Sequence, residues 1–272
     1  MPARPIPRGR HRFPIRKAGS CSPPQSSEIR PGTVTTKRLM GEDVVLYRTR
    51  SGRIRVVRPY CPHLGAHLGC GGRVDDEDIV CPFHHFAFDP DGNVARTGPG
   101  YTGKPVREGL TILPSEEVNG GVFAWSGPSQ PTLPWNIPQL LNPRSSRSKF
   151  VVVDVHSHPQ EICENTVDIG HTRALHGFSD AWMPRPPIAD KHSYSVALQL
   201  SRRFPPFGSL KADVEVNLYG LGFLHVLLRV PRIGLEMDAV LAPRPVDPWR
   251  LHLTVGVGVL FTPPSCIDPQ DC

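Results

Sequence analysis

The sequence predicts an α+β protein in which a small all-β domain precedes a larger antiparallel-sheet domain. Three observations lead to this fold class. Short β-rich runs separated by turn residues follow residue 33, one segment near 159–176 has the end signals of a helix, and strand patterns return over 193–261. A helix that covers one face of an antiparallel sheet gives a helix-grip-like domain.

The first domain is predicted from its hairpins. Residues 43–57 (DVVLYRTRSGRIRVV) are two β-rich runs around a Ser-Gly turn, and residues 86–95 (FAFDPDGNVA) are two runs around Pro-Asp-Gly. Residues 120–127 (GGVFAWSG) close the block as a strand. The stretch that follows, 128–147, is rich in Pro and Ser and is predicted to be a linker.

The second domain, 148–272, opens with a strand and then the predicted helix. Pro159 suits a first helical position, Ser157 or His158 lies where a cap is expected, and Gly177 is a suitable stop. These signals predict one continuous helix over 159–176. The apolar runs that follow it predict an antiparallel sheet.

Composition sets the broad class of the protein. The 272 residues carry a formal charge of +6, but residues 1–27 hold six Lys or Arg and no acid, so the remainder has 25 basic and 25 acidic residues. Residues 1–27 are predicted to be a disordered, basic, Pro-rich tail; an organellar transit peptide is an alternative that its prolines disfavour. No nucleic-acid partner is expected.

Location is predicted from hydropathy and cysteine content. The longest apolar stretch, 218–230, is too short to span a bilayer and contains His225 and Arg229, so no membrane segment is expected. The N-terminus has no apolar signal core. Seven cysteines in a chain of this length indicate reduced thiols and a cytoplasmic protein.

Two short segments, CPHLG and CPFHH, give the strongest chemical signal. Each holds one Cys and one His: Cys61 and His63, then, after seventeen intervening residues, Cys81 and His84. These four residues suit a tetrahedral zinc ion or a [2Fe–2S] cluster with two Cys on one iron and two His on the other. Zinc fingers usually pair Cys with Cys and His with His, so the mixed pairing favours the cluster. The neighbouring His67, Cys70 and His85 are interpreted as flanking residues.

The stretch CPHLGAHLGCGGRV…IVCPFHHFAFDPDG resembles the Rieske domain of the Rieske non-heme iron oxygenases. It is most similar to the branch that contains ketosteroid hydroxylases and cholesterol desaturases. Respiratory-type Rieske proteins carry an additional disulfide-forming Cys in each loop, whereas this sequence has Ala66 and Phe83 near those places. The resemblance covers roughly 28–262. It implies a Rieske domain over 28–127 and a catalytic non-heme iron domain over 148–272.

A second site is predicted within ENTVDIGHTRALHGF, residues 164–178. Asn165, Asp168 and His171 are three apart and share one face of a helix. His171 and His176 are five apart, about 140° around a continuous helix, so they meet at one metal only if the helix ends or bends between them. Two His and one carboxylate form the facial triad of non-heme iron oxygenases; two structural histidines are the alternative.

The family resemblance assigns roles to these residues. It implies that His171 and His176 bind a mononuclear Fe(II), and that Asp168 bridges a Rieske histidine of one subunit, His84 or His63, to an iron-ligand histidine of its neighbour. Asn165 would lie near the iron. The resemblance also implies a homotrimer, an NAD(P)H-dependent reductase with or without a ferredoxin, and O2 as co-substrate. The expected reaction is hydroxylation or desaturation of a hydrophobic, steroid-like substrate.

The third iron ligand of the family is not found. In relatives it is an Asp on a helix well after the last strands, but only 96 residues follow His176 and their end has no helical pattern. Asp268 and Asp271 lie in a Pro-broken segment, and Asp238 is predicted to face solvent from a strand. The third carboxylate is therefore left unassigned. Three hypotheses stay open: an oxygenase component, a Rieske electron carrier or inactive homologue, and a zinc-stabilised binding module.

Overall fold

A computed structural model of the chain describes residues 19–20, 26–103, 106, 108–126, 135–141, 149–205 and 208–262. Within these residues short strands build the first part and long strands with two short helices build the second. The predicted α+β class is confirmed. No helix in this part of the chain is long and apolar enough to cross a membrane.

The first part folds into small antiparallel sheets. Its strands are β1 (Gly19–Ser20), β2 (Val34–Leu39), β3 (Glu42–Arg48), β4 (Ile54–Val57), β5 (Arg73–Asp75), β6 (Asp78–Val80), β7 (Ala87–Phe88), β8 (Val94–Arg96), β9 (Ile112–Leu113), β10 (Ser115–Val118) and β11 (Gly121–Ser126). They form the sheets β2-β3-β4-β9, β5-β6-β7-β8 and β1-β11-β10. The predicted hairpins, β3–β4 and β7–β8, are confirmed.

The second part is one antiparallel eight-stranded sheet with two helices on one face. Its elements are β12 (Lys149–Val155), α1 (Pro159–Glu164), α2 (Ile169–Ala174), β13 (Asp180–Trp182), β14 (Ile188–Ala189), β15 (Ser193–Phe204), β16 (Gly208–Tyr219), β17 (Phe223–Val230), β18 (Leu235–Asp247) and β19 (Arg250–Phe261). The strand order is β12-β19-β18-β17-β16-β15-β13, and β14 also pairs with β15. The predicted antiparallel sheet is therefore present.

The prediction of one continuous helix near 159–176 is wrong, because the chain forms two short helices. The helix α1 begins at Pro159 as expected and ends at Glu164. The His158 ring caps it by accepting a hydrogen bond from the backbone N–H of Gln160. Asp168 then takes an extended backbone and caps α2, accepting from the amide of His171 at 3.1 Å. Asn, Thr and Asp side chains compete for backbone hydrogen bonds, so the segment 165–168 interrupts the helix rather than continuing it.

The core of the second part lies between these helices and the sheet. Along β15, alternate residues face the helices, namely Val196, Leu198 and Leu200, and all three are buried. Cys163 of α1 belongs to the same cluster, and Ile169 of α2 packs against it. The strand period of two therefore decides which side chains hold the helices on the sheet.

The outer strand β12 leaves an apolar edge exposed. It pairs with β19 on one side, and no strand in the described part of the chain pairs with its other side. Val151, Val152 and Val153 are 59%, 52% and 46% exposed. Because successive strand residues point to opposite faces, both faces of this edge present a valine to solvent.

The predicted tail and linker are only partly described. Gly19–Ser20 pairs with β11, and the remainder of residues 1–25 lies outside the described residues, so the disordered tail stays a prediction. Of the predicted linker 128–147, residues 135–141 are described and form neither helix nor strand. Within them Ile137 is buried between Phe123 of the first part and Phe223 of the second.

Asn119 holds this connecting segment in place. Its side chain is buried, and its amide oxygen accepts hydrogen bonds from the backbone of Leu140 and Leu141 at 2.7 and 3.1 Å. Its amide nitrogen donates to the carbonyl of Pro138 at 2.9 Å. One side chain therefore satisfies three backbone groups of a segment that has no ladder of its own.

Arg48 is the charged centre of the first part. Its side chain is 10% exposed and forms a bidentate pair with the carboxylate of Glu117 at 2.9 and 3.0 Å. The same guanidinium donates to the carbonyls of Ile29 at 2.6 Å and Gly52 at 2.8 Å. These hydrogen bonds hold the pKa of Glu117 below its usual range. Arg48 thereby joins three separate backbone segments.

Replacing this residue, Arg48→Lys, is expected to lower the free energy of unfolding by about 2–3 kcal/mol. A lysine cannot grip Glu117 with two parallel bonds and also reach both carbonyls, so buried acceptors lose their donors. Urea unfolding followed by circular dichroism measures the change. Arg53→Lys is the matched control: its ion pair with Asp91 is exposed, and a change within about 0.5 kcal/mol is expected. Equal losses for both variants would contradict a special role of Arg48.

Candidate metal centres

The first candidate centre is built from two matching loops, 61–66 and 81–86. In each loop the backbone N–H of the first residue donates to the carbonyl of the sixth. The distances are 2.9 Å from Cys61 to Ala66 and 2.8 Å from Cys81 to Phe86. The two loops therefore close in the same way around a Cys at the first position, although the His is the third residue of one loop and the fourth of the other.

The fifth residue of each loop has a left-handed backbone. Gly65 has φ +74°, and its counterpart His85 has φ +57°. Glycine adopts this conformation without steric cost, whereas a residue with a Cβ is strained by about 1–2 kcal/mol. Sequence reasoning missed this strain, because it interpreted His85 only as a flanking residue.

The four predicted ligands lie together between the loops. The thiols of Cys61 and Cys81 are buried and hydrogen-bonded to each other, and burial raises the pKa of Cys61 to about 11. The rings of His63 and His84 are half-buried, with centroids 4.8 Å apart. The structure therefore brings two sulfur donors together inside and two imidazoles together nearer the surface.

Aromatic residues surround the histidine pair. The ring of Tyr101 packs edge-on against His63 with centroids 5.3 Å apart, and its hydroxyl lies 3.5 Å from His63 Nε2, at the outer limit of a hydrogen bond. Phe86 packs on the same imidazole at 4.7 Å. Sequence reasoning missed Tyr101, because it is 38 residues away in a Gly-Pro loop with no motif. On the surface beside the pair, Leu64 and Phe83 are exposed.

The residues interpreted as flanking keep other partners. His67 accepts from the amide of Gly69 through Nδ1 at 3.1 Å, and its Nε2 faces the carboxylate of Asp43 at 3.4 Å. Cys70 is an exposed free thiol. The Nδ1 of His67 is thus used in a hydrogen bond, whereas its buried Nε2 approaches Asp43 without forming one.

The second candidate centre is the pair His171 and His176. Their Nε2 atoms are 3.0 Å apart. The helix α2 ends at Ala174 and Gly177 has φ +66°, so the chain turns before His176 can continue around the helix. The expectation that the two rings meet only if the helix ends between them is therefore confirmed.

The two polar residues predicted beside this pair lie on the segments that flank it. Asp168 is exposed and caps α2, and its carboxylate accepts from the backbone amide of His171. Asn165 is the exposed C-terminal cap of α1, with its backbone N–H donated to the carbonyl of Glu161 at 3.2 Å. The helix break thus separates Asn165 from the face that holds Asp168 and His171.

Among the described residues no third His, Cys, Asp or Glu side chain joins this histidine pair in a group that could hold a metal ion. Asp268 and Asp271 lie outside the described residues. The prediction that Asp238 faces solvent is wrong: it is buried and pairs with buried His225 on the adjacent strand, Oδ1 to Nε2, at 3.0 Å. A buried carboxylate needs such a partner, and a histidine on the neighbouring strand provides it.

A cleft of about 430 Å³ lies against α1 and the ends of β15 and β16. Its apolar lining includes Cys163, Val167, Tyr194, Leu218 and Leu221. Burial raises the pKa of Cys163 to about 11, so its thiol stays protonated and adds to this apolar surface. The cleft can hold a hydrophobic molecule.

Comparison with known proteins places these features in context. The family model of the Rieske [2Fe-2S] domain matches residues 23–106. The cholesterol 7-desaturase of Drosophila melanogaster is 33% identical over 204 residues, 71% of this chain and 46% of that protein. The cholesterol 7-desaturase of Bombyx mori is 32% identical over 246 residues, 79% of this chain and 53% of that protein. The chain spans about half the length of these curated relatives.

The same fold occurs in a solved structure. The crystal structure of dicamba monooxygenase bound to dicamba matches with a TM-score of 0.69 and 17% sequence identity. The match covers 89% of this chain and 77% of that one. At this identity the likeness concerns the fold, a small β domain followed by a sheet with helices on one face.

The variant Gly98→Ala is expected to reduce the iron and acid-labile sulfide bound per folded chain at least several-fold. A Cβ at Gly98 would lie 1.7 Å from the carbonyl oxygen of His84, so the second loop must move. Gly109→Ala is the control, because its Cβ would meet the carbonyl of Gly92 at 2.5 Å, outside both loops. Iron and sulfide analysis, normalised to the folded fraction, separates the two. Equal sulfide content in both variants would show that the Gly98 contact does not shape the loop.

The variant His85→Gly is expected to raise the free energy of unfolding by about 1 kcal/mol, because it relieves the left-handed strain. His85→Ala keeps the Cβ and should bring no gain. Thermal or urea unfolding of both variants measures the difference. A glycine variant no more stable than the alanine variant would mean that other contacts of His85 offset its backbone strain.

Proposed function

Since the chain belongs to the Rieske non-heme iron oxygenases, in the branch of the cholesterol 7-desaturases, we propose that it acts as the oxygenase component of a Rieske monooxygenase or desaturase. The proposed reaction is the O2-dependent hydroxylation or desaturation of a hydrophobic, steroid-like substrate. The observation that carries the proposal is the coexistence of two donor sets in one chain, one of two Cys and two His and the other of two converging His.

Two metal groups would supply the chemistry: a [2Fe–2S] cluster passes single electrons, and a mononuclear Fe(II) with open coordination positions activates dioxygen. Cys61 and Cys81 would bind one iron of the cluster, and His63 and His84 the other. The two buried free thiols and the paired imidazoles fit this group. The Cys61 thiol, whose pKa is raised by burial, needs a positive partner to ionise, and iron is such a partner.

His171 and His176 would hold the mononuclear iron. Their ring nitrogens converge, which fits two ligands of a facial triad, and the third carboxylate remains unassigned. Asp168 would bridge His84 or His63 of a neighbouring subunit to an iron-ligand histidine, since a carboxylate can accept ring N–H bonds from two imidazoles and orient both. Asn165 would lie near the iron.

We propose that the working unit is a homotrimer in which the first centre of one subunit meets the second centre of the next. Large apolar side chains are exposed beside both centres, Leu64 and Phe83 beside the first and Leu175 beside the second. The adjacent exposed side chains of Leu64 and Phe83 favour a protein contact beside the first centre, and the exposed Leu175 would lie on the matching surface of the next subunit. An NAD(P)H-dependent reductase, with or without a ferredoxin, would supply electrons, and we expect a cytoplasmic location.

The cleft beside α1 supports a hydrophobic substrate. Its lining combines apolar side chains with the polar residues Glu164, Asp190 and Lys191, and its volume of about 430 Å³ suits a rigid polycyclic molecule that carries a polar group. Val167 borders the cleft and lies four residues before His171, so a molecule held there would approach the second centre along the helical segment. The proposed substrate class is sterol-like, in keeping with the cholesterol 7-desaturases among its relatives.

A second function is favoured by one observation, the lack of a third metal-binding side chain beside His171 and His176 among the described residues. A chain that binds the cluster but no mononuclear iron would be an electron carrier or an inactive homologue. Both hypotheses place a [2Fe–2S] cluster at the first centre. They differ in whether His171 and His176 bind a mononuclear iron, so the second centre decides between them.

Iron and acid-labile sulfide per chain test the proposal on anaerobically purified protein. We expect three irons and two sulfides. His176→Ala should lose one iron and keep both sulfides, because it removes a ligand of the second centre alone. Cys81→Ser should lose the sulfides. Ser201→Ala, on the sheet beside the second centre, serves as a surface control and should keep all three irons.

The outcomes separate the hypotheses. Three irons, together with product formation from a sterol in the presence of a reductase, support the oxygenase. Two irons and two sulfides without product support the electron carrier. A colourless protein that contains zinc and no labile sulfide would overturn both and favour the zinc-stabilised binding module.

A further inference from the structure

We propose that Arg202 is a positioning residue for the second metal centre. Its guanidinium donates to the backbone carbonyl of His176 at 3.1 Å and thereby fixes the turn that aims the His176 ring at His171. The inference rests on the proposed function, because it takes the two histidines as metal ligands. Arg202 lies on strand β15, outside the segment 164–178 that carries the two histidines.

The direction of Arg202 follows from the strand that carries it. On β15 the buried residues Leu198 and Leu200 face the helices, and Arg202 continues the same row two residues later. Arg203 has the opposite parity and faces the other side of the sheet. The strand therefore delivers the Arg202 side chain to the helix-bearing face, beyond the end of the apolar core.

The carbonyl of His176 needs a donor from elsewhere. It follows the end of α2, where backbone carbonyls run out of helical partners. Gly177, with φ +66°, reverses the chain at this point, and a Cβ placed on it would lie 3.8 Å from the guanidinium carbon of Arg202. The guanidinium thus packs against the turn as well as bonding to it.

The same stretch of β15 holds the segment after the turn. The backbone N–H of Ser179 donates to the carbonyl of Ser201 at 2.9 Å, and its hydroxyl donates to the same oxygen at 3.0 Å. From Ser179 onward the chain is tied to the sheet, and up to Leu175, whose N–H donates to the carbonyl of His171 at 2.9 Å, it is tied into α2. The backbone N–H of Phe178 makes a longer bond, 3.4 Å, to the carbonyl of Thr172. Arg202 reaches the backbone of His176, between these two fixed ends.

This anchor bears directly on metal binding. His176 is exposed, so the packing of its own ring does little to hold it. With two converging imidazoles, the affinity for a divalent ion depends on how well both rings are placed in advance. Loss of a group that orients a ligand typically weakens metal affinity by about 10–100-fold.

The test is Co²⁺ binding to protein that holds its Rieske cluster and has been freed of mononuclear iron by mild chelation. The d–d absorption of Co²⁺ reports both affinity and ligand geometry. Arg202→Met is expected to weaken Co²⁺ binding by about 10–100-fold and to change the d–d spectrum. Arg202→Lys keeps one donor within reach of the carbonyl and should restore most of the affinity.

Two controls keep a structural effect apart from a positioning effect. Arg203→Met removes the same charge and side-chain length from the opposite face of the strand, and its Co²⁺ affinity should stay within about twofold of the wild type. Thermal unfolding of the proteins freed of mononuclear iron shows that all variants are folded. Amide hydrogen exchange of residues 175–178 in the same preparations, before Co²⁺ is added, should rise in Arg202→Met and stay unchanged in Arg203→Met.

The results distinguish this inference from the proposed function. Co²⁺ binding in Arg202→Met with wild-type affinity and spectrum would overturn the role of Arg202 and leave the oxygenase proposal standing. Wild-type protein whose Co²⁺ binding is unaffected by His176→Ala would overturn the second centre itself. In that case amide hydrogen exchange of residues 175–178 decides the role of Arg202. If the exchange is unchanged in Arg202→Met, Arg202 does not hold the turn either; if it is faster, Arg202 holds the backbone of the turn but positions no metal ligand.

Discussion

The buried side-chain amide of Asn119 binds the segment that connects the two parts of the chain, and these hydrogen bonds support the packing of one part against the other. Because three backbone groups of the segment are satisfied by one side chain, Ile137 can be buried between Phe123 and Phe223. The two parts therefore meet through a packed apolar layer. A contact of this kind restricts the hinge motion that a loose linker would permit.

Both centres rely on interruptions of regular structure. The first uses two closed loops whose fifth residue is left-handed, and the second uses a helix that stops so that His176 can turn back towards His171. In each case strands supply the rigid support. The donors lie on turns and loops except His171, which lies in α2. This division suits metal binding, since loops carry ligands at angles that a helix or strand alone does not offer.

The sequence predicts a centre well when its residues are close together along the chain, and poorly when tertiary contacts decide where a side chain lies. The Cys and His of the first centre occupy two short segments, so their spacing alone indicated a shared site. Gly177 signalled a helix end near His176, and α2 ends slightly earlier, at Ala174. The break at Asp168 was missed because capping and core packing compete there with helix propensity. The burial of Asp238 and the approach of Arg202 were missed as well, because strand register and turn contacts are set by tertiary structure.

The valine edge of β12 has a practical consequence for anyone who produces this chain. An outer strand with valines on both faces, and with no second pairing strand among the described residues, is a template for another extended chain, since main-chain pairing and apolar burial would be gained together. We therefore expect association through this edge, rather than unfolding, to limit the protein concentration that can be reached. Charged substitutions at Val152 would be a rational first step towards a well-behaved sample, because that side chain lies outside both metal centres.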